Sequence, residues 1–110
     1  MIFDKDENII IITQEKLSVQ EFVRRLNNEY HKFKDDNVII NLTTLSAISV
    51  TEIVEFLQVS DQHRKAKHSF VIVTDQVDFD EMPDEMIIVP TLQEAYDVVE
   101  MEEIERDLGF

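Results

Sequence analysis

The chain has 110 residues, 24 of them acidic and 10 of them Lys or Arg, which gives a formal net charge of -14 at pH 7. This length is typical of one domain and too short for two, so residues 1–110 are expected to fold as a single domain. The sequence has no Cys, which excludes disulfides, thiolate metal sites and a cysteine nucleophile. Residues 1–8 lack a signal-peptide pattern, and no uncharged apolar run approaches the roughly 18 residues of a membrane helix. We therefore expect a soluble, cytoplasmic protein.

The negative charge is concentrated in the last third of the chain. Residues 75–110 contain 13 acidic residues and a single basic one, Arg106, whereas acidic and basic residues nearly balance over residues 1–74. A field of this sign repels phosphate backbones and anionic lipids, which argues against nucleic acid and membranes as partners and favours a basic protein surface. The main basic run, from His63 to His68, is interpreted as a solvated helix C-terminus, where cations complement the helix dipole.

The first predicted elements are two short strands, residues 1–4 and 9–13, which together suggest a hairpin. Ser18 and Glu21 then form a capping-box pattern, which predicts the start of a helix. The apolar residues that follow recur at spacings of three and four and form one stripe: Val19, Phe22, Val23, Leu26, Tyr30 and Phe33. This stripe predicts a helix that lies on a sheet.

Residues 37–42 are apolar with little alternation, which predicts a central strand covered on both faces. A second capping box, Ser49-Val50-Thr51-Glu52, predicts a helix that continues to about Ala66. Residues 70–74 form another apolar run and predict a further buried strand.

Residues 75–85, which include Pro83, predict a loop or a broken helical turn, and residues 86–89 predict a last short strand. Thr91 and Glu94 then predict a third helix start. Beyond residue 100 the apolar positions shift to Met101, Ile104 and Leu108. This rotation indicates either an overhanging face for a partner or a bent or frayed helix end.

Strand and helix signals alternate along the chain, which predicts an α/β fold with a mixed, mostly parallel sheet of four to five strands and crossover helices. From residue 37 onward, the order and spacing of the segments resemble the STAS family, the small domains of anti-sigma-factor antagonists and of the cytoplasmic tails of sulfate transporters. Three segments carry the resemblance: Ile40-Asn41-Leu42 at the family's strand end, Ser49-Val50-Thr51-Glu52 at its Asp-Ser-Ser-Gly position, and residues 87–95 at its last strand and helix. The resemblance implies a STAS-like fold and a bacterial regulatory module that binds a protein, such as a regulatory kinase or another basic-surfaced protein. It implies neither catalytic activity nor a cofactor.

The resemblance also implies candidate site residues. The family's regulatory member is phosphorylated at the second Ser of its motif, and this position is Thr51 here. The neighbouring positions differ, because Ser49, Val50 and Glu52 replace Asp, Ser and Gly. The segment can equally be explained without function, as a helix start that Ser49 and Glu52 cap reciprocally. The expected docking face comprises the loop 43–48, the helix start 49–53 and the acidic loop 78–85, with Ser49, Thr51, Glu52 and Glu55 as partner-binding candidates.

Two alternatives to a protein-binding module stay open, a metal-dependent hydrolase or ribonuclease of unrecognised type and a small-molecule sensor with a pocket under the loop after Thr74. The three His residues form no His-x-His pattern, and His63 and His68, five apart, would lie on different faces of a helix, unlike a zinc pair. The acidic loop lacks the glycine and the ligand spacing of a calcium loop. No catalytic or metal-binding residue is therefore predicted.

Overall fold

The computed structural model describes residues 1–109. Its strands are β1 (Ile2–Asp6), β2 (Ile9–Thr13), β3 (Asn37–Asn41), β4 (Phe70–Val73) and β5 (Ile87–Val89). Its helices are α1 (Val19–Asn28), α2 (Val50–Val54), α3 (Leu57–Lys65) and α4 (Leu92–Asp107). Two 3-10 turns, Tyr30–Lys32 and Phe79–Glu81, lie in the connections.

The five strands form one sheet in which the spatial order, β1-β2-β3-β4-β5, is also the order along the chain. β1 and β2 form an antiparallel hairpin, closed by a tight turn in which Glu7 has a positive φ of 55°. The remaining neighbours pair in parallel. The predicted mixed, mostly parallel sheet is therefore confirmed, and the carboxyl ends of β2 to β5 lie at one edge of it.

Helices cover both faces of the sheet. The main core joins one face to α1, α2 and α3, with Phe22, Phe33, Phe56 and Phe70 as its largest buried side chains. A smaller cluster joins the other face to α4 and comprises Ile9, Ile39, Val71, Val73, Ala95 and Val99. Because both faces are covered, β4 is buried along its length and β3 is buried up to Ile40, as their apolar runs predict.

The three predicted helix starts are confirmed. The hydroxyl groups of Ser18, Ser49 and Thr91 accept hydrogen bonds from backbone N–H groups three residues later, at distances of 3.1 to 3.2 Å. Each of these bonds satisfies an N–H group that has no partner within its helix.

Two helices differ from the predicted lengths. The first ends at Asn28, and the buried Phe33 follows a 3-10 turn rather than continuing a helical stripe. The helix predicted from Ser49 to Ala66 is divided into α2 and α3, because the N–H groups of Glu55 and Phe56 bond to carbonyls three residues back. This tighter turn directs Phe56 into the core, where its ring meets that of Phe22 edge to face at 6.0 Å.

The interpretation of the run from His63 to His68 as wholly solvated is wrong for His63, which is fully buried. Its Nδ1 lies 2.9 Å from the Tyr30 hydroxyl, and its Nε2 lies 2.6 Å from the Asp36 carbonyl oxygen. The placement of His63 and His68 on different helix faces is also wrong. The helix ends at Lys65, and Lys67 has a positive φ of 70°, so the chain turns back and the two rings stack at 5.2 Å.

Candidate docking face

The predicted docking segments emerge next to one another at the carboxyl edge of the sheet. The loop 43–48 follows β3 and the loop 75–86 follows β4, and these strands are paired neighbours. Apolar residues from both loops pack against the main core: Leu45, Ile48, Val77 and Met82. The core thus holds the two loops side by side.

The loop 43–48 is fixed by polar contacts at its start. The Asn41 side-chain oxygen accepts hydrogen bonds from the N–H and the hydroxyl of Thr43, at 3.1 and 2.7 Å. The Thr44 hydroxyl lies 2.9 Å from the Gln14 carbonyl oxygen and 2.6 Å from its side-chain oxygen. Because Gln14 is buried at the end of β2, it ties this loop to the neighbouring strand.

The start of α2 is a complete capping box. The N–H of Glu52 donates to the Ser49 hydroxyl oxygen at 3.1 Å, and the N–H of Ser49 donates to the Glu52 carboxylate at 3.0 Å. The predicted reciprocal cap between these two residues is therefore confirmed. It means that the Glu52 carboxylate is held at the helix N-terminus, where negative charge is favourable.

Thr51 and Glu55 extend from this helix start into solvent. Both are exposed, and no hydrogen bond to the Thr51 hydroxyl is formed within residues 1–109. Val54, between them, is 41% exposed although it is apolar. Val54 and Glu55 border a shallow depression that continues along α3 to Asp61. Thr51, Val54 and Glu55 are thus available for contact without rearrangement of the backbone.

The surface formed by residues 49–61 is acidic. It contains Glu52, Glu55 and Asp61 and no Lys or Arg. Of the predicted partner-binding residues, Ser49 and Glu52 are joined to each other by hydrogen bonds, whereas Thr51 and Glu55 point outward. We define the docking face as the loop 43–48 together with residues 49–61.

The acidic loop 78–85 contains a capped 3-10 turn. The Asp78 carboxylate accepts a hydrogen bond from the Asp80 N–H at 3.0 Å, which begins the turn Phe79–Glu81. Across residues 1–109, no three His, Asp or Glu side chains are grouped so that they could hold a metal ion. The loop lies beside the docking face and adds negative charge to that edge.

Sequence patterns did not indicate Gln14 or Val54 as parts of this site. Gln14 accepts a hydrogen bond from Thr44, which lies 30 residues later in the chain. A polar residue after a strand does not indicate such a distant partner. Val54 follows the apolar spacing of a buried helix face, and its exposure results from the division between α2 and α3. None of the helices within the described part of the chain has the length and apolarity needed to cross a bilayer.

Comparison with known proteins supports the fold but gives no match in sequence. A scan of protein-family models finds no match, and neither does a search of curated proteins. Among solved structures, a Thermotoga maritima protein assigned as an anti-sigma factor antagonist is similar with a TM-score of 0.64 and 12% identity, over 90% of this chain and 93% of that one. A Ser-to-Glu variant of RsbS from Moorella thermoacetica is similar with a TM-score of 0.64 and 14% identity, over 96% of this chain and 97% of that one.

A chain from the stressosome, described as a signal integration and transduction hub, is similar with a TM-score of 0.59 and 14% identity, over 90% of this chain and 96% of that one. These neighbours are STAS domain proteins. The chain therefore has the STAS fold, which confirms the fold that its sequence resembles.

Proposed function

We propose that this STAS-fold chain is a small cytoplasmic regulatory module that acts by binding another protein through the docking face, without catalysis and without a cofactor. One observation carries the proposal: Thr51, Val54 and Glu55 are exposed on a backbone that the capping box and the contacts of Gln14 already fix. A surface ordered before binding loses little conformational entropy when a partner docks. The structural neighbours support the same kind of function, since they include a protein assigned as an anti-sigma factor antagonist and a part of a signal integration and transduction hub.

The charge of the docking face indicates the chemistry of the partner. Glu52, Glu55 and Asp61 present negative charge without a compensating cation in residues 49–61. A partner with Lys or Arg around an apolar contact would complement this surface and would be steered to it by the net charge of the chain. A regulatory kinase or another protein with a basic surface fits this description.

Thr51 is the candidate phosphorylation site of this face. Its hydroxyl is exposed, and its position in the first turn of α2 places a phosphate near the positive end of the helix. The group would add nearly two negative charges beside Glu52 and Glu55 and so alter the affinity of a partner that contacts them. Mass spectrometry of the protein from its native cells tests this, with Thr43 and Thr44 as internal controls. Phosphate absent from Thr51 under all growth conditions would remove the site from the proposal.

The docking face is tested by affinity purification from native cells with quantitative mass spectrometry. We expect the double variant Glu55→Lys/Asp61→Lys to lose a stoichiometric partner that the wild-type chain retains. The matched control is Asp4→Lys/Asp6→Lys on β1, which makes the same change in net charge away from the face. Equal retention by both variants would exclude residues 49–61 as the docking face. RNA cleavage that requires added divalent metal and is lost in Asp78→Asn would instead support the hydrolase alternative.

A further inference from the structure

The C-terminal half of α4 has its apolar side chains on the outside. Met101, Ile104 and the C-cap residue Leu108 are 63%, 59% and 66% exposed, although α4 packs on the sheet through Ala95 and Val99. We propose that this outer side is one half of a coiled-coil contact with a helix of a partner protein, a helix that carries apolar core positions flanked by Lys or Arg. This proposal adds a second surface to the docking face and does not depend on it.

The inner side of the same half-helix is polar and anchored. Glu102 forms an ion pair with Arg64 at 3.2 Å, and Arg106 donates to Asn37 and to Ser69, each at 3.2 Å. Glu103 accepts hydrogen bonds from the side-chain amides of Asn8 and Asn37. These bonds fix the rotation of the helix and keep its apolar residues turned away from the sheet. The exposed stripe is therefore a fixed feature of the fold and not a frayed helix end.

The spacing of the stripe is that of a coiled-coil seam. Met101, Ile104 and Leu108 are separated by three and then four residues, which are the a, d and a positions of a heptad. The inward residues fall at b, c and f, the positions that face away from the seam. A straight helix of a partner can therefore pack along these two turns with its own apolar residues between them.

The flanking positions identify the partner. Glu105 occupies e, and Glu100 and Asp107 occupy g, so every flank of the seam is acidic. Residues at e and g determine which helices pair, because like charges repel across the seam and opposite charges attract. In a dimer of this chain through the seam, acidic side chains of one copy would face acidic side chains of the other. A helix with Lys or Arg at e and g complements both the charge and the apolar spacing.

The position of this seam has a functional consequence. The docking face lies on α2 and α3, which cover one face of the sheet, whereas α4 covers the other. The two surfaces are therefore on opposite sides of a thin domain, and both select basic partners. Together with the proposed docking face, this seam would allow the chain to hold two proteins at once, as an adaptor does.

The test uses the full chain and two synthetic helical peptides with Leu at a and d, one with Lys and the other with Glu at e and g. We expect NMR titration to show binding of the Lys peptide alone, with shifts centred on the C-terminal half of α4. Ile104→Gln/Leu108→Gln should weaken this binding at least about tenfold, because it removes apolar area from the seam. The matched apolar control is Ile2→Gln on β1, a position 44% exposed and outside both proposed surfaces, and it should leave the affinity unchanged.

The double variant Glu100→Lys/Glu105→Lys separates a specific seam from attraction by net charge. Its net charge is still negative, because two reversals change the formal value of -14 by four. If the seam pairs through e and g, this variant should prefer the Glu peptide, whereas Glu81→Lys/Glu85→Lys, with the same net charge, should still prefer the Lys peptide. Retained preference for the Lys peptide by the first variant would overturn the proposal, as would failure of the wild-type chain to bind. Self-association that Ile104→Gln/Leu108→Gln abolishes would assign the seam to a second copy instead.

Discussion

Asn37 and Glu103, which are 66 residues apart in the chain, are joined by a hydrogen bond of 2.5 Å from the Asn37 amide nitrogen to the Glu103 carboxylate. Asn37 is buried at the first position of β3, and its side-chain oxygen accepts from the Ser69 N–H at 2.8 Å and from Arg106 at 3.2 Å. The Asn37 side-chain amide thus connects β3, the residue before β4 and the C-terminal half of α4.

Replacement of Asn37 by Ala should destabilise the fold by about 2 kcal/mol, because it leaves the buried Ser69 N–H without an acceptor. Urea unfolding followed by circular dichroism measures this change. The control is Asn8→Ala, which removes an exposed donor to the same Glu103 carboxylate and should cost less than about 0.5 kcal/mol. Similar losses of stability in the two variants would show that the buried Asn37 amide contributes no more than the exposed Asn8 amide.

His63 should make the stability of the fold depend on pH. Burial lowers its pKa to about 4 in the folded chain, against the ordinary 6.5, while the hydrogen bond to Asp36 opposes this shift and the neighbouring His68 adds to it. Between these two values the unfolded chain binds the proton and the folded chain does not, so stability falls as the pH decreases from about 6.5 to about 4. The loss from this residue is at most about 3 kcal/mol.

The measurement for His63 is the free energy of unfolding across this pH window, compared between the wild-type chain and His63→Phe. The wild-type chain should lose more stability on acidification than the variant, since only it can bind a proton at this position. An NMR titration of the His63 ring should give a pKa well below the ordinary 6.5. A pKa of 6.5 or higher would contradict the burial of His63.

Tyr30→Phe should cost about 1 kcal/mol, because it removes the hydroxyl that donates to Nδ1 of the buried His63. Burial also raises the pKa of the Tyr30 phenol, so this hydroxyl is still protonated when an exposed tyrosine ionises. Tyr96→Phe is the matched control, since no hydrogen bond of its hydroxyl occurs within residues 1–109, and thermal unfolding compares the two variants. A loss in Tyr96→Phe as large as in Tyr30→Phe would argue against the hydrogen bond as the cause.

Ser49→Ala should destabilise the fold by about 1 kcal/mol, since it removes the hydroxyl that accepts from the Glu52 N–H. Thr51→Ala should change the stability by less than about 0.5 kcal/mol, because its side chain is exposed and makes no cap. Differential scanning calorimetry compares the two variants. The difference is useful for function: weaker partner binding by Thr51→Ala can then be attributed to a lost contact, and not to a damaged helix.

The parts of the fold that sequence predicted are those specified by neighbouring residues. A cap is complete within four residues, so Ser18, Ser49 and Thr91 identify three helix starts without reference to the rest of the chain. The apolar runs of β3 and β4 likewise indicate burial on both faces. For the same reason, part of the candidate site could be proposed from the sequence, since Ser49, Thr51 and Glu52 lie within one helical turn.

The parts that sequence did not predict depend on distant partners. His63 stands in a run of charged residues, and its burial follows from Tyr30, 33 positions earlier. The division between α2 and α3 contains no Gly or Pro, and it coincides with the packing of Phe56 on Phe22. Gln14 contributes to the docking face only because β2 and β3 are neighbours, so its contact with Thr44 requires the assembled sheet.

The sheet order also has a consequence for how the protein folds during its synthesis. Because each strand pairs with the one that precedes it in the chain, every strand leaving the ribosome finds its neighbour already synthesised. The face of Ile39, Val71 and Val73 is different, since its cover, α4, is translated after all five strands. A nascent chain halted before Leu92 would display this apolar surface, and we expect chaperones to recognise the unfinished protein there.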